Sequence, residues 1–145
     1  MAAAPDRKER IGKEYIGVGV GGVIVQDNKV LLLLRAKAPE KGKWSIPGGT
    51  VEIFETVEEA LLREIKEELG VEGRIIASLG VTDHILPKEG VHWIAPRFLI
   101  GLHGEPMNRE PDKHEAIQWW PLDDLPEKIT QTTQKAIAAY NSLKH

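Results

Sequence analysis

The chain has 145 residues, 41% of them hydrophobic and 28% charged, with a formal net charge of −3 and no cysteine. That length fits one domain with its own core, and the balance argues against a disordered chain and against a generic basic nucleic-acid binder. The absence of cysteine excludes a disulfide framework and a thiolate metal site, and no apolar run reaches membrane-spanning length.

In chain order, "MAAAPDRKERIGKEY" has no apolar core after its charges, so it is not a secretory signal. Residues 1–14 read as a flexible polar lead-in to a single domain over 15–145, and a cytoplasmic location is the expectation. "YIGVGVGGVIVQ" (15–26), rich in Val, Ile and Gly, predicts a strand. Asp27-Asn28 is a turn signal, and "KVLLLLRAK" (29–37) predicts a second strand. Its continuous apolar run implies burial on both faces. The two strands form a β-hairpin. "APEKGK" (38–43) is a loop, and "WSIPGGTVE" (44–52) reads as short extended pieces around a turn imposed by Pro47 and Gly48-Gly49.

Thr56 and Glu59 have capping-box spacing, and Gly70 stands where a C-terminal cap belongs, so a helix is predicted between them. Val57, Leu61, Leu62, Ile65 and Leu69 make one apolar stripe along it. "GRIIASLGVT" (73–82) and "VHWIAPRFLIGLH" (91–103) predict strands joined by a loop, "DHILPKEG" (83–90). "GEPMNREPDKHE" (104–115) is a polar loop, "AIQWWPL" (116–122) a short strand, and "TQTTQKAIAAYNSLKH" (130–145) a closing helix. Strands before and after a central helix imply α/β layers around a mixed sheet.

The central helix is unusually acidic. Glu64, Glu67 and Glu68 crowd together behind Glu58 and Glu59, and like charges three or four residues apart repel by a few tenths of a kcal/mol per pair. At about 100° per residue the three glutamates span roughly a 100° arc that borders the apolar stripe, while Glu59, Arg63 and Lys66 fill the outward side. Carboxylates crowded at the edge of a core need a counter-charge, and several oxygen ligands suit a hard cation such as Mg²⁺ or Mn²⁺. Taken alone, the cluster also fits a solvated helix end, and a Gly-Gly turn alone has many uses.

The combination is more specific. Gly49, five residues, Glu55, seven residues, then Arg63-Glu64-Ile65-Lys66-Glu67-Glu68-Leu69-Gly70-Val71 resembles the Nudix box, with every defining position of its 23 residues filled. "WSIPGG" resembles the usual lead-in, and the hairpin and final helix stand where that family has them. Over most of its length the chain is similar to small MutT-type members, and "GEPMNREPDKHE…W" resembles a segment of the MutT homologue 2 type nucleotide-diphosphatase subgroup. The resemblance implies a Nudix fold, an α/β/α sandwich with a mixed β-sheet and the catalytic helix in a strand-loop-helix motif.

It also implies roles. Glu67 and Glu68 would bind divalent metal, Mg²⁺ or Mn²⁺; Glu64 would be a ligand or the general base; the Gly48 carbonyl, just before box residue Gly49, would complete the set. Arg63 would hold the box glutamates, with Glu55 as its partner, since an arginine fork fixes carboxylates by paired hydrogen bonds. A further carboxylate should come from elsewhere in the chain. Alignment through "GEP" puts a family metal-ligand glutamate on Glu110, with Glu115 the rival and Glu89 a weaker third. Glu110 is favoured because a flexible loop can close onto the metals once phosphates bind.

Similar members carry a phosphate-contacting Arg or Lys near Arg35; a surface cation at a strand end is the other reading, and Lys37 is a weaker choice. Trp119 and Trp120 point to opposite faces if they lie on a strand, so one belongs to the core and the other is free to stack on a nucleobase. The residues alone do not choose between them, and Trp120 is the candidate. His84, His92 and His114 lack ligand spacing and read as structural.

The implied chemistry is water attack on phosphorus in a nucleoside diphosphate linked to a group X. The leading substrate is a nucleoside triphosphate, giving the monophosphate and pyrophosphate; the enzymatic rival is ADP-ribose or another nucleotide sugar. A non-catalytic nucleotide-sensing Nudix module would have lost box glutamates, and none is lost. RNA cap removal lacks a basic track. A nucleotide is the expected partner, with no membrane and no nucleic acid, and with a homodimer left open. The segment after "DDLP", "EKITQTTQ", departs from the aromatic-rich region that helps form the base pocket in the resembled subgroup, so the base is not specified.

Overall fold

A strand that is apolar at every position needs a layer on each face, because successive side chains alternate. In the computed structural model, which describes residues 10–143, β1 (Gly17–Gln26) and β2 (Lys29–Arg35) form the expected hairpin. Leu31 and Leu33 face one way with Val20 and Ile24, and Val30 and Leu32 face the other with Val23. The first set packs under α1 (Val57–Leu69) through Ala60, Leu61, Ile65 and Leu69. The second packs under α2 (Gln131–Leu143) through Ala136 and Ile137. Burying each such leucine contributes ~1.5–3 kcal/mol. The product is the α/β/α sandwich expected from the sequence.

The remaining strands are β3 (Trp44–Ser45), β4 (Gly48–Thr50), β5 (Glu72–Leu86), β6 (Val91–His103) and β7 (His114–Pro121). The sheet runs β3-β2-β1-β6-β5, with β4 also paired to β1 and β7 to β2. β1 is parallel to β6 and antiparallel to β2 and β4, so the sheet is mixed. Its glycines let neighbours come close: a Cβ on Gly22 would press into Ile100 and Leu61.

Three boundaries differ from expectation. The loop expected over 83–90 is mostly strand: Asp83 pairs with Ile94 and His84 with Trp93, and only the 3-10 turn Pro87–Glu89, closed by Gly90 at φ 67°, leaves the ladder. β5 has a single neighbour, so polar residues can point outward without breaking the pairing. The strand expected over 116–122 begins earlier, at His114, which pairs with Arg35. Residues 10–14 are not a free lead-in. Gly12 accepts a hydrogen bond from His92 N (2.7 Å) and lies against the Trp93 ring with no room for a Cβ. The rest of that expected lead-in, residues 1–9, and the last two residues of the expected closing helix lie outside the described residues.

Candidate active site

The acidic helix starts and stops where its sequence dictates. Thr56 accepts from Glu59 N (3.0 Å) while the Glu59 side chain accepts from Thr56 N (3.1 Å), a complete capping box. Gly70 closes the C-terminus at φ 72°, a conformation that glycine adopts without penalty, and donates to Lys66 O (2.9 Å). Between the caps, the glutamates border the apolar stripe as their spacing predicts. Glu68 is buried, at 4% exposure, Glu64 is half-buried and Glu67 is exposed.

Each carboxylate is held by a different device. Glu68 Oε1 accepts from Gly48 N (2.9 Å), which ties the helix to β4. The Glu64 carboxylate lies directly over Gly49, in the space a Cβ there would need, so this box glycine is required for close approach. Arg63 does not project outward into solvent. Its fork takes Glu55 with Nε (2.7 Å) and Nη2 (2.9 Å), its Nη1 reaches Glu64 Oε1 (2.9 Å) and Glu67 Oε2 (3.3 Å), and Nη2 also donates to Thr50 O (3.1 Å). One guanidinium therefore binds three glutamates and the backbone of β4.

Electrostatics separate these groups. The hydrogen bonds from Arg63, joined by the backbone bond from Glu52, hold the Glu55 carboxyl down at about 2. Burial pushes Glu64 up against the pull of Arg63. Burial, then the charge of Glu64, pushes Glu68 well above the usual carboxylate range despite the Gly48 hydrogen bond.

A second segment completes the cluster. The connection from β6 to β7 is bonded to the C-terminal carbonyls of α1, Met107 N to Leu69 O (3.0 Å) and Arg109 N to Glu68 O (3.0 Å). Asn108 clamps the following turn, accepting from Glu110 N (3.2 Å) and donating to His114 O (2.8 Å). Lys113 N and His114 N both donate to Glu110 O. Glu110 thus sits in a hydrogen-bonded turn that already places it beside Glu68. It lies with Glu68 and His114 so that one donor atom from each falls within 4.8 Å of the others. Glu115 and Glu89 are exposed and outside this group.

His114 is the residue that sequence reading missed. It is 7% exposed, its Nε2 lies 3.3 Å from Glu68 Oε2, and its Nδ1 is buried with no partner among the described residues. Burial pushes the imidazole down, so it is neutral near pH 7. Nothing local marks it; it reaches the site only because β7 pairs with β2. Lys113 forms an ion pair with Glu110 Oε2 (3.2 Å). Burial opposes its charge, but that bond and the charges of Glu110, Glu64 and Glu68 together push Lys113 up.

The other candidates divide. Arg35 pairs with His114 across β2 and β7, beside the cluster, and its Nε donates to Pro39 O (2.7 Å). Trp119 and Trp120 do point to opposite faces, and each packs on a core: Trp119 on the α1 side, Trp120 on the α2 side against the edge of Trp44, ring centroids 5.1 Å apart. Trp120 therefore lies apart from the carboxylates. An open groove of about 500 Å³ on the α2 side, containing Arg97 and Lys135, shares no residue with them either.

The donor set fits a divalent cation. Carboxylates converge where burial alone would make their charge costly, a side chain is barred at Gly49, and a buried imidazole stands beside them with Nε2 toward Glu68. Residues 16–140 match the NUDIX domain family, and the chain belongs to it. It is 38% identical over 128 residues to the ADP-ribose pyrophosphatase of Methanocaldococcus jannaschii, covering 88% of this chain and 75% of that one. It is 38% identical over 104 residues to the putative 8-oxo-dGTP diphosphatase 2 of Mycobacterium tuberculosis, covering 69% and 70%. The crystal structure of a MutT NUDIX hydrolase from Burkholderia pseudomallei superposes with a TM-score of 0.83 at 46% identity, covering 86% of this chain and 98% of that one. Family membership and these relatives make this a hydrolase of pyrophosphate bonds. Other relatives are longer, the chain spanning about half of their length or less.

Proposed function

We propose that this protein hydrolyses a nucleoside triphosphate to the monophosphate and pyrophosphate with Mg²⁺ or Mn²⁺ bound by Glu64, Glu67, Glu68, Glu110 and the Gly48 carbonyl. The observation that carries the reading is the convergence of Glu68 and Glu110 from two distant segments, with Arg63 holding Glu64 and Glu67 on the same helix. When bound, the metal lowers the pKa of water and offsets phosphate charge. The protein's own residues supply orientation. Gly48 N and the Arg63 fork fix Glu68 and Glu64 before substrate arrives, so no rotamer freedom is lost at the reaction.

Glu64, held on Oε1 by Arg63, has its other oxygen to take a proton from the attacking water. The new bond is water oxygen to phosphorus, and the P–O bond bridging the α and β phosphates breaks. The leaving group, pyrophosphate for attack at the α phosphorus or the nucleoside monophosphate for attack at the β, carries away the electron pair. Lys113 and Arg35, beside the cluster, suit the substrate's phosphate charge. The 8-oxo-dGTP diphosphatase relative supports a triphosphate substrate. The ADP-ribose pyrophosphatase relative supports a second reading, ADP-ribose to AMP and ribose 5-phosphate.

A panel of ordinary and oxidised nucleoside triphosphates and ADP-ribose, assayed with Mg²⁺ and scored for each product, tests both. Pyrophosphate from a triphosphate is the expected outcome. Turnover of ADP-ribose alone moves the protein to the second reading, and no turnover of any member sinks both.

A further inference from the structure

We propose that His114 supplies an imidazole nitrogen to the cation site formed with Glu68 and Glu110, making it a mixed nitrogen–oxygen site that favours Mn²⁺ or Co²⁺ over Mg²⁺. The inference rests on the reading above that this cluster holds a divalent cation, and it adds a ligand and a selectivity.

The geometry of the ring is the starting point. A buried histidine with a structural role normally spends its nitrogens on hydrogen bonds. His114 leaves Nδ1 without a partner among the described residues, while Nε2 faces the cluster with Glu68 Oε2 at 3.3 Å. That separation lies just beyond the ordinary range of a neutral N···O hydrogen bond, ~2.7–3.2 Å. It is close to the spacing of adjacent ligands on one cation, since bonds of ~2.1 Å at right angles put donor atoms ~3.0 Å apart. The third donor, from Glu110, falls in the same cluster, all within 4.8 Å.

The chain also fixes these donors relative to one another. Glu110 and His114 close a single turn through His114 N to Glu110 O (3.0 Å), and Asn108 spans that turn at both ends. Register with Arg35 on β2 anchors the base of the ring. Glu68 is pinned from the other side by Gly48 N. Donors held by α1 on one side and by the turn leading into β7 on the other, with a long contact between Glu68 and His114, are arranged for a shared guest. Imidazole suits transition-metal ions, whereas Mg²⁺ prefers all-oxygen surroundings and keeps its waters.

The test reads the bound ion directly. Wild-type protein without nucleotide is loaded with Mn²⁺ and examined by pulsed electron paramagnetic resonance for directly bound ¹⁴N, alongside calorimetric titration with Mn²⁺ and with Mg²⁺. The expected result is a nitrogen coupling that disappears in His114→Gln. Mn²⁺ affinity should fall at least about tenfold in that variant, and Mg²⁺ affinity much less. His114→Asn serves as a second variant, and should neither fold, the wild-type spectrum decides alone. Bound Mn²⁺ without nitrogen coupling, coupling that persists in both folded variants, or no Mn²⁺ binding each overturns the proposal. Mg²⁺-supported turnover in the same preparation shows separately whether the hydrolase reading stands.

Discussion

Glu68 and Glu55 are both carboxylates of the same site, yet their pKa values are displaced in opposite directions. Glu55 is depressed to about 2 by the Arg63 fork, so its contribution to stability is present above the unfolded value near 4.5 and is lost as pH falls toward 2. Glu68 is raised by burial. Its folded form holds a proton that the unfolded chain releases, so the metal-free protein loses stability as pH rises from about 4.5 through the raised value. Glu68→Gln removes that cost while keeping an oxygen for Gly48 N. In EDTA at pH 8 its melting temperature should exceed that of wild type, and its kcat with Mg²⁺ should fall at least about a hundredfold. Wild-type turnover in this variant would remove Glu68 from the catalytic set.

Arg63 makes the complementary case. An ammonium cannot serve Glu55, Glu64, Glu67 and Thr50 O at once. Arg63→Lys should lose activity and bind Mg²⁺ more weakly by calorimetry. Wild-type affinity would show that the fork does not organise the site.

At the scale of elements, the connection between β6 and β7 works as a splint on the end of α1. Its backbone donors satisfy carbonyls of Glu68 and Leu69 that the last helical turn cannot pair, which sets Glu110 beside Glu68. A Mg²⁺ titration of turnover distinguishes it from its neighbour. Glu110→Gln should raise the metal requirement and lower kcat, and Glu115→Gln should leave both near wild type. The reverse pattern would transfer the role to Glu115.

The caps of α1 were legible in the sequence because Thr56, Glu59 and Gly70 act within a few residues of one another. The extension of β5 through Leu86 was not, because Asp83, His84, Pro87 and Gly90 together look like a loop; pairing with β6 overrides that local signal.

Over the whole molecule, legibility follows the same division between local and distant. The two-faced burial of β2 was evident in "KVLLLLR", and it implied a helix on each side. The box carboxylates were evident because they share one helix. Membership of His114 in the cluster was not, since it depends on the register of β7 on β2, roughly eighty residues apart in the chain. No helix among the described residues is long and apolar enough to cross a membrane.

The order in which the strands are synthesised gives that register a biological cost. β2 pairs with β1 at Lys29 and Val30 and with β3 at Leu33 and Leu34, whereas β7 pairs with it from Lys29 to Arg35. During translation, Leu31, Leu32 and Leu33 leave the ribosome long before the strand that covers their edge. An unpaired apolar strand edge is a template for aggregation, so the nascent chain passes through an interval in which the edge of β2 that β7 covers is open. A chain stopped after residue 113 should sediment on lysis under conditions that leave the full chain in the supernatant. If that shortened chain stays soluble and monomeric, β2 is shielded by something other than β7.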